Sequence, residues 1–208
     1  MHHQPNHFRM PYWLEGLDWG HEGLGRGQHP RISRRVTIEE LMSPLGDSFT
    51  RRNGKCAAFF GHLAEPRTTF MEVLSSKIEI DGYGRAFNTK IKGAEKSGIN
   101  KDVILKNYSY CLCPENSIYP GYYTEKILEA FAAGCLPISW VDPNVADDFN
   151  PNAFINLLPY ASVGYEKSLD LLNDRKALKA YAQAPLLLER PTLEPLKKFI
   201  EKIIADVK

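Results

Sequence analysis

From Lys55 onward, short apolar runs alternate with stretches of helical periodicity, and this alternation narrows the possible folds more than any single motif does. Cys56–Phe60 is an apolar run closed by Gly61, the size of a buried strand. Arg67–Ser76 then carries Phe70, Met71, Val73 and Leu74 at helical spacing. Lys77–Asp81 sets Ile78 and Ile80 on one face of a second strand before Gly82 and Gly84. Lys101–Lys106 is expected to form a short helix and Tyr108–Cys113 a third strand. Thr124–Ala133 turns Ile127, Leu128 and Phe131 to one side of a helix, which Gly134 can end in the left-handed conformation that glycine adopts without strain. Leu136–Trp140 and Ala153–Asn156 complete the strands. Apolar strands separated by helices predict an α/β fold: a Rossmann-like parallel sheet with helices on both faces, followed by a helical C-terminus. Ligands of such sheets bind beyond the carboxyl ends of the strands, which points at the loops after Phe60, Asp81, Cys113 and Trp140.

The 208 residues suffice for one sizeable core with a smaller attached element. Residues 1–54 are punctuated by Gly20, Gly23, Gly25 and Gly27 and by Arg31, Arg34, Arg35, Arg51 and Arg52, and read as a connecting or docking segment. Within them Thr37 and Glu40 have capping-box spacing for a short helix over Thr37–Met42. Residues 55–165 are the strand–helix domain, and 166–208 are expected to be helices packed on it. The last of these, Thr192–Val207, gathers Leu193, Leu196, Ile200, Ile203 and Val207 on one stripe. Lysines and acids alternate on its other side, which favours packing on the α/β core over docking on a membrane, so membrane association is expected to be weak at most. A formal net charge of +1 gives no electrostatic footprint for nucleic acid. Cys56, Cys111, Cys113 and Cys135 read as buried thiols, not as a disulfide or zinc framework. The polar start, with His2, His3 and His7, resembles neither a signal peptide nor a membrane anchor, and its histidines read as unordered chain instead of a metal site. A cytoplasmic setting, at most peripheral to a membrane, is the expectation.

Chemistry concentrates in Tyr108–Trp140. A strand runs into Pro114, Glu115 and Asn116, a turn carries Tyr119, Tyr122 and Tyr123, and a helix is expected to open at Thr124 with Glu125 and Lys126 in its first turn. A helix N-terminus presents unpaired N–H groups and partial positive charge, which suits a phosphate. Glu125 complements that dipole, whereas Lys126 opposes it, so a bound anion explains the lysine better than solvation does. Arg67 opens a helix just beyond the first strand and its loop, which places a bidentate phosphate-binding group on the ligand-facing rim. A plain surface arginine fits the same position equally well.

The run Pro114-Glu-Asn-Ser, then Gly121-Tyr-Tyr-Thr-Glu-Lys-Ile and Ala132-Ala-Gly-Cys-Leu-Pro-Ile-Ser-Trp, resembles the signature of the α-1,3/4-fucosyltransferases of glycosyltransferase family 10, typically F-E-N-S…Y-V-T-E-K…G-x-x-P-I-x-W-G. Val145–Asn156 is similar to the D-F-x-P-x-S-F-I segment of that family. Arg9-Met-Pro-Tyr-Trp resembles the point where such chains cross from their first domain to their second. The resemblance implies one half of a GT-B enzyme, the half that binds GDP-fucose. By position, Arg67 and Lys126 would pair with the diphosphate, Tyr122 would hydrogen-bond it, Glu125 would accept from the ribose hydroxyls, and Asn116 would line the donor pocket. Cations fixed at the departing GDP stabilise charge that grows in the transition state, at about 3 kcal/mol each by analogy with an oxyanion donor. Transfer would invert the anomeric carbon. No cofactor and no divalent metal is implied, and Asp147-Asp148 reads as the opening of a short helix.

The sequence departs from that pattern at Pro114, where an aromatic precedes E-N, and at Val141, where glycine follows the tryptophan; both bear on the pocket and leave the sugar open. The family's first domain binds the acceptor and supplies the carboxylate general base, and it is expected to have no counterpart here. Glu15, Asp18 and Glu22 are acids of the N-terminal segment, and none is assigned as that base. Three functions follow. The leading one is a glycosyltransferase moving fucose from GDP-fucose to a hydroxyl of an acceptor glycan, with a partner or a site of its own serving the acceptor. A non-catalytic GDP-sugar-binding module and a plain interaction domain are the others.

Overall fold

A computed structural model describes residues 8–20, 35–87 and 101–206. Glu22, Gly23, Gly25, Gly27, Arg31, Arg34, the three early histidines and Val207 lie outside the described residues. In chain order the helices and strands are α1 (Ile38–Met42), α2 (Asp47–Thr50), β1 (Cys56–Phe59), α3 (Arg67–Ser75), β2 (Ile80–Tyr83), α4 (Lys101–Leu105), β3 (Tyr110–Leu112), α5 (Lys126–Ala132), β4 (Leu136–Ser139), β5 (Ile155–Asn156), α6 (Leu169–Asn173), α7 (Arg175–Gln183) and α8 (Glu194–Asp206). The strands form one parallel sheet in the order β2-β1-β3-β4-β5. The chain therefore crosses one way from β1 to β2 and the other way from β3 to β4, and right-handed crossovers put α3 and α5 on opposite faces. This is the α/β layer that the apolar alternation predicts.

Local chemistry explains where the elements start and stop. Thr37 and Glu40 make the complete capping box at the start of α1. The second strand begins later than its apolar pattern suggests, because the Lys77 and Ile78 amides both donate to the Leu74 carbonyl at 3.0 Å and so close α3. At the end of α5, Gly134 has φ 82°, its amide bonds Phe131 O at 2.7 Å, and the Cys135 amide bonds Ala130 O at 3.0 Å, a Schellman ending. Pro137 is tolerated inside β4 because its missing N–H faces the β5 side, where the ladder begins only at Ile138. Asp147-Asp148 does not open a helix. Asp142 caps a 3-10 turn over Pro143–Asp147, and Asp148 ends it, because the proline fits the first position of the turn.

A single core joins the layers. Phe70, Phe131, Leu112, Leu128 and Ile138 come from the sheet and its helices, and the four cysteines are buried free thiols within it. Trp13, Leu17, Val36 and Ile38 of the N-terminal segment enter the same cluster, as do Leu178, Ala182 and Leu193 near the other end. Burying one such large side chain is worth about 1.5–3 kcal/mol. The last helix departs from the expected packing: α8 buries no residue, and Ile200, Ile203 and Ile204 are exposed. Its contact runs to the N-terminal segment, where Phe199 stacks on Phe8 at 5.3 Å between centroids. An amphipathic stripe dictates that a helix forms, not what covers it. Among the described residues no helix is long and apolar enough to cross a membrane.

Candidate functional site

The strand order reverses direction between β1 and β3, the switch point at which doubly wound sheets open a crevice at their carboxyl ends. A cleft of about 280 Å³ lies there, lined by the end of β1 and the loop beyond it (Phe59–His62), by the end of β3 and the residues beyond it (Cys111–Pro114 and Asn116), and by Arg67, Lys101, Glu125 and Lys126. Of the four loops singled out by the sequence, those after Phe60 and Cys113 form it. Asp81 lies within β2 and accepts from the Tyr108 hydroxyl at 2.6 Å. Trp140 packs its ring on Phe70.

Arg67 is buried, with 7 % of its surface exposed, so it is not a surface arginine. Its Nη2 donates to Asn116 Oδ1 at 2.6 Å, its Nη1 lies 3.1 Å from His62 Nε2, and its guanidinium stands 5.3 Å from the centre of the Phe60 ring. Among the described residues none of these partners is a carboxylate. A guanidinium withdrawn from water and facing a cleft without a carboxylate to pair with is stabilised by an anion that enters the cleft.

Lys126 has a different environment. Its ammonium pairs with the Glu115 carboxylate and lies 3.2 Å from Thr124 Oγ1. The Glu115 side chain is fully buried and also accepts from the Thr124 amide at 2.7 Å and the Thr124 hydroxyl at 2.9 Å. These bonds occupy Thr124, so α5 starts at Lys126, two residues later than expected, with Glu125 at its N-cap and making no side-chain cap bond. A bound anion is thus not needed to explain a lysine at that helix start: Glu115 offsets its charge. Its ammonium still lines the cleft, 20 % exposed.

Four of the five expected site residues, Arg67, Asn116, Glu125 and Lys126, line the cleft. Tyr122 joins through Asn116, whose Nδ2 lies 3.4 Å from the Tyr122 hydroxyl. Tyr119–Tyr122 form a tight turn in which the Tyr122 amide donates to Tyr119 O at 2.9 Å. Pro120 and Gly121 (φ 76°) occupy the positions that a type II turn reserves for them. Of the N-terminal acids, Asp18 accepts from the Gly20 amide at 2.9 Å, and neither it nor Glu15 lines the cleft.

Sequence reasoning missed His62, Glu115 and Lys101. His62 follows β1 on the rim that the sheet rule identifies, so the rule that found Arg67 would have found it. Lys101 donates to Glu129 at 2.7 Å and lies 5.6 Å from the centre of the Phe59 ring. Burial works against its charge, but the Glu129 carboxylate outweighs that and raises its pKa. On the cleft floor the Cys113 side chain stabilises the Cys111 thiolate against burial, which lowers the Cys111 pKa. The same contact, with burial, pushes the Cys113 thiol well up.

Comparison with known proteins gives this geometry a family. Residues 50–182 match the model of Glycosyltransferase family 10 (fucosyltransferase) C-term. Alpha-(1,3)-fucosyltransferase FucT of Helicobacter pylori is 34% identical over 106 residues, 51% of this chain and 21% of that enzyme. The 4-galactosyl-N-acetylglucosaminide 3-alpha-L-fucosyltransferase 9 of Cricetulus griseus is 40% identical over 72 residues, 35% of this chain and 19% of that enzyme. The chain thus matches about a fifth of the length of these curated relatives. A crystal structure of α1,3-fucosyltransferase with GDP-fucose superposes with a TM-score of 0.59 at 26% identity, over 76% of this chain and 48% of that one. Another, with GDP, gives 0.62 over 95% and 65%, and at 21% identity it speaks for the fold alone. With its parallel sheet, its switch-point cleft and most of its length matched, this chain belongs to glycosyltransferase family 10, the fucosyltransferases, through the C-terminal domain of that family.

Proposed function

We propose that the cleft between β1 and β3 binds a GDP-sugar and that the chain acts as the donor-binding half of an inverting fucosyltransferase, passing fucose from GDP-fucose to a hydroxyl of an acceptor glycan. The observation that carries this reading is Arg67, buried beside the cleft with Asn116 and His62 as hydrogen-bond partners and no carboxylate partner among the described residues, and with Lys126 on the same wall. The chain's similarity to a fucosyltransferase solved with GDP-fucose supports the choice of ligand. In this scheme Arg67 and Lys126 hold the diphosphate and stabilise the charge that develops on GDP as the glycosidic bond breaks. Tyr122 adds a hydroxyl donor, Asn116 orients Arg67, and Glu125 accepts from the ribose. The acceptor side and its general base come from a further domain, partner or site.

The test is GDP affinity in Arg67→Ala and Lys126→Ala. Each is expected to weaken binding at least about tenfold, the loss of one charge-assisted contact, with the far-UV circular dichroism unchanged. Parent-like affinity in both variants would refute the site. A second reading is a GDP-sugar-binding module without transfer, since the same cleft and the same Arg67 and Lys126 would serve binding alone. Incubation with GDP-fucose and an acceptor glycan separates the two: fucosylated product establishes the enzyme, and GDP binding without product establishes the module.

A further inference from the structure

Asp148 lies outside the cleft, yet three donors from distant parts of the chain converge on one of its oxygens. Arg9 Nη2 and Trp13 Nε1 each donate to Oδ2 at 3.0 Å, and the Tyr123 hydroxyl does so at 2.5 Å. The Arg9 guanidinium also stands 4.9 Å from the centre of the Tyr123 ring, and a Cβ placed on Gly121 would come within 3.4 Å of Arg9 Nε. Phe149 completes the clasp, with its ring 5.0 Å from that of Trp13 and 6.0 Å from that of Tyr123. Burial and the Asp148 hydrogen bond keep the Tyr123 phenol neutral by raising its pKa, so it remains a donor.

The turn held in this way is the one that serves the cleft. Tyr123 is buried towards Asp148, while its neighbour Tyr122 meets Asn116, and Asn116 in turn holds Arg67. A continuous series of contacts therefore runs from residues 9–13 through Asp148, Tyr123, Tyr122 and Asn116 to the cleft arginine. Arg9 and Trp13 precede the span that matches the family model, which begins at residue 50. We propose that Asp148 is a positioning residue for the donor site: it fastens the Tyr119–Tyr123 turn to the segment upstream of the sheet, and so sets Tyr122 and Asn116 where they hold Arg67 for the nucleotide. The proposal rests on the reading of the cleft as a GDP-sugar site. Asp148 itself touches no substrate and is not a catalytic residue.

The test uses the full chain with Asp148→Asn, Asp148→Ala, Tyr123→Phe and the double variant Asp148→Ala/Tyr123→Phe. Calorimetric titration with GDP separates the dissociation constant from the fraction of chain able to bind. Asp148→Ala is expected to weaken GDP about fivefold at parent stoichiometry, Tyr123→Phe similarly, and the double variant little more than either, because the two residues act along one path. Asp148→Asn, which keeps an acceptor of the same size, is expected to recover part of the affinity. A purely structural role would lower the stoichiometry and melting temperature at an unchanged dissociation constant, and that result overturns the proposal. Hydrogen exchange of the ligand-free chain supplies a readout independent of the nucleotide. Amides of 119–125 should exchange faster in Asp148→Ala while those of β4 do not, and unchanged exchange over 119–125 also overturns the proposal. A parent chain that fails to bind GDP refutes the donor-site reading, and the exchange data then decide whether Asp148 holds the turn.

Discussion

Removing the Glu115 carboxylate should destabilise the fold more than removing any other acid at the cleft, and by an amount that can be worked out. The side chain is fully buried and satisfies the Thr124 amide, the Thr124 hydroxyl and the Lys126 ammonium. Taking away one member of a buried ion pair costs about 3–5 kcal/mol, because the other is left uncompensated. Lys126 retains 20 % exposure and regains some hydration, which places Glu115→Ala at the low end, about 3 kcal/mol. For a chain of 208 residues that corresponds to a fall in Tm of about 6–12 °C. Glu115→Gln keeps an acceptor for Thr124 and should cost about 2 kcal/mol. Adding Lys126→Met to Glu115→Gln removes both charges and should bring stability back to within about 1 kcal/mol of the parent. Urea unfolding measures all three, with a lower midpoint at constant m as the expected signature. A Glu115→Ala variant within about 0.5 kcal/mol of the parent, or a paired variant no more stable than Glu115→Gln, would refute the reasoning.

Other residues make further predictions. Arg52 donates to the carbonyls of Leu105 (3.1 Å), Tyr108 (2.9 Å) and Ala133 (2.8 Å), so Arg52→Ala should lower stability by about 2–3 kcal/mol in the same urea assay, with Arg52→Lys recovering only part. Gly134→Ala should cost about 1–3 kcal/mol, since φ is 82° and the new Cβ would stand 2.2 Å from Arg52 Nη2. A parent-like midpoint would show that this helix ending relaxes freely. Phe70→Ala removes a fully buried ring that meets Trp140 and Tyr165, and thermal unfolding should register about 3–5 kcal/mol.

What the sequence disclosed and what it hid divide along the range of the interactions. The order of strands and helices, the capping box of Thr37 and Glu40 and the left-handed ending at Gly134 are set by residues a few places apart; the order holds, and the capping box and the helix ending are found where the pattern places them. Arg67 was legible because a general rule about sheets ties the ends of strands to ligands; Lys126 stood out by its place at a helix start, a place that its pairing with Glu115 accounts for. Glu115 was not, because its role depends on a turn that brings Lys126 back from eleven positions downstream. Asp148 was misread as a helix start, since its partners Arg9 and Trp13 lie 139 and 135 positions away and no local pattern reports them. The start of β2 moved because Lys77 and Ile78 spend their amides on Leu74, a competition that apolar spacing does not register. In α8 the spacing of Leu196, Ile200 and Ile203 indicated a helix, and the exposure of its last turns was a tertiary outcome.

Calorimetric titration of the parent chain with GDP, with UDP and ADP as controls, is the measurement that bears most directly on the donor-site reading. Saturable binding of one GDP per chain is expected, with UDP and ADP weaker. Absence of saturable GDP binding, or equal affinity for all three nucleotides, would contradict it.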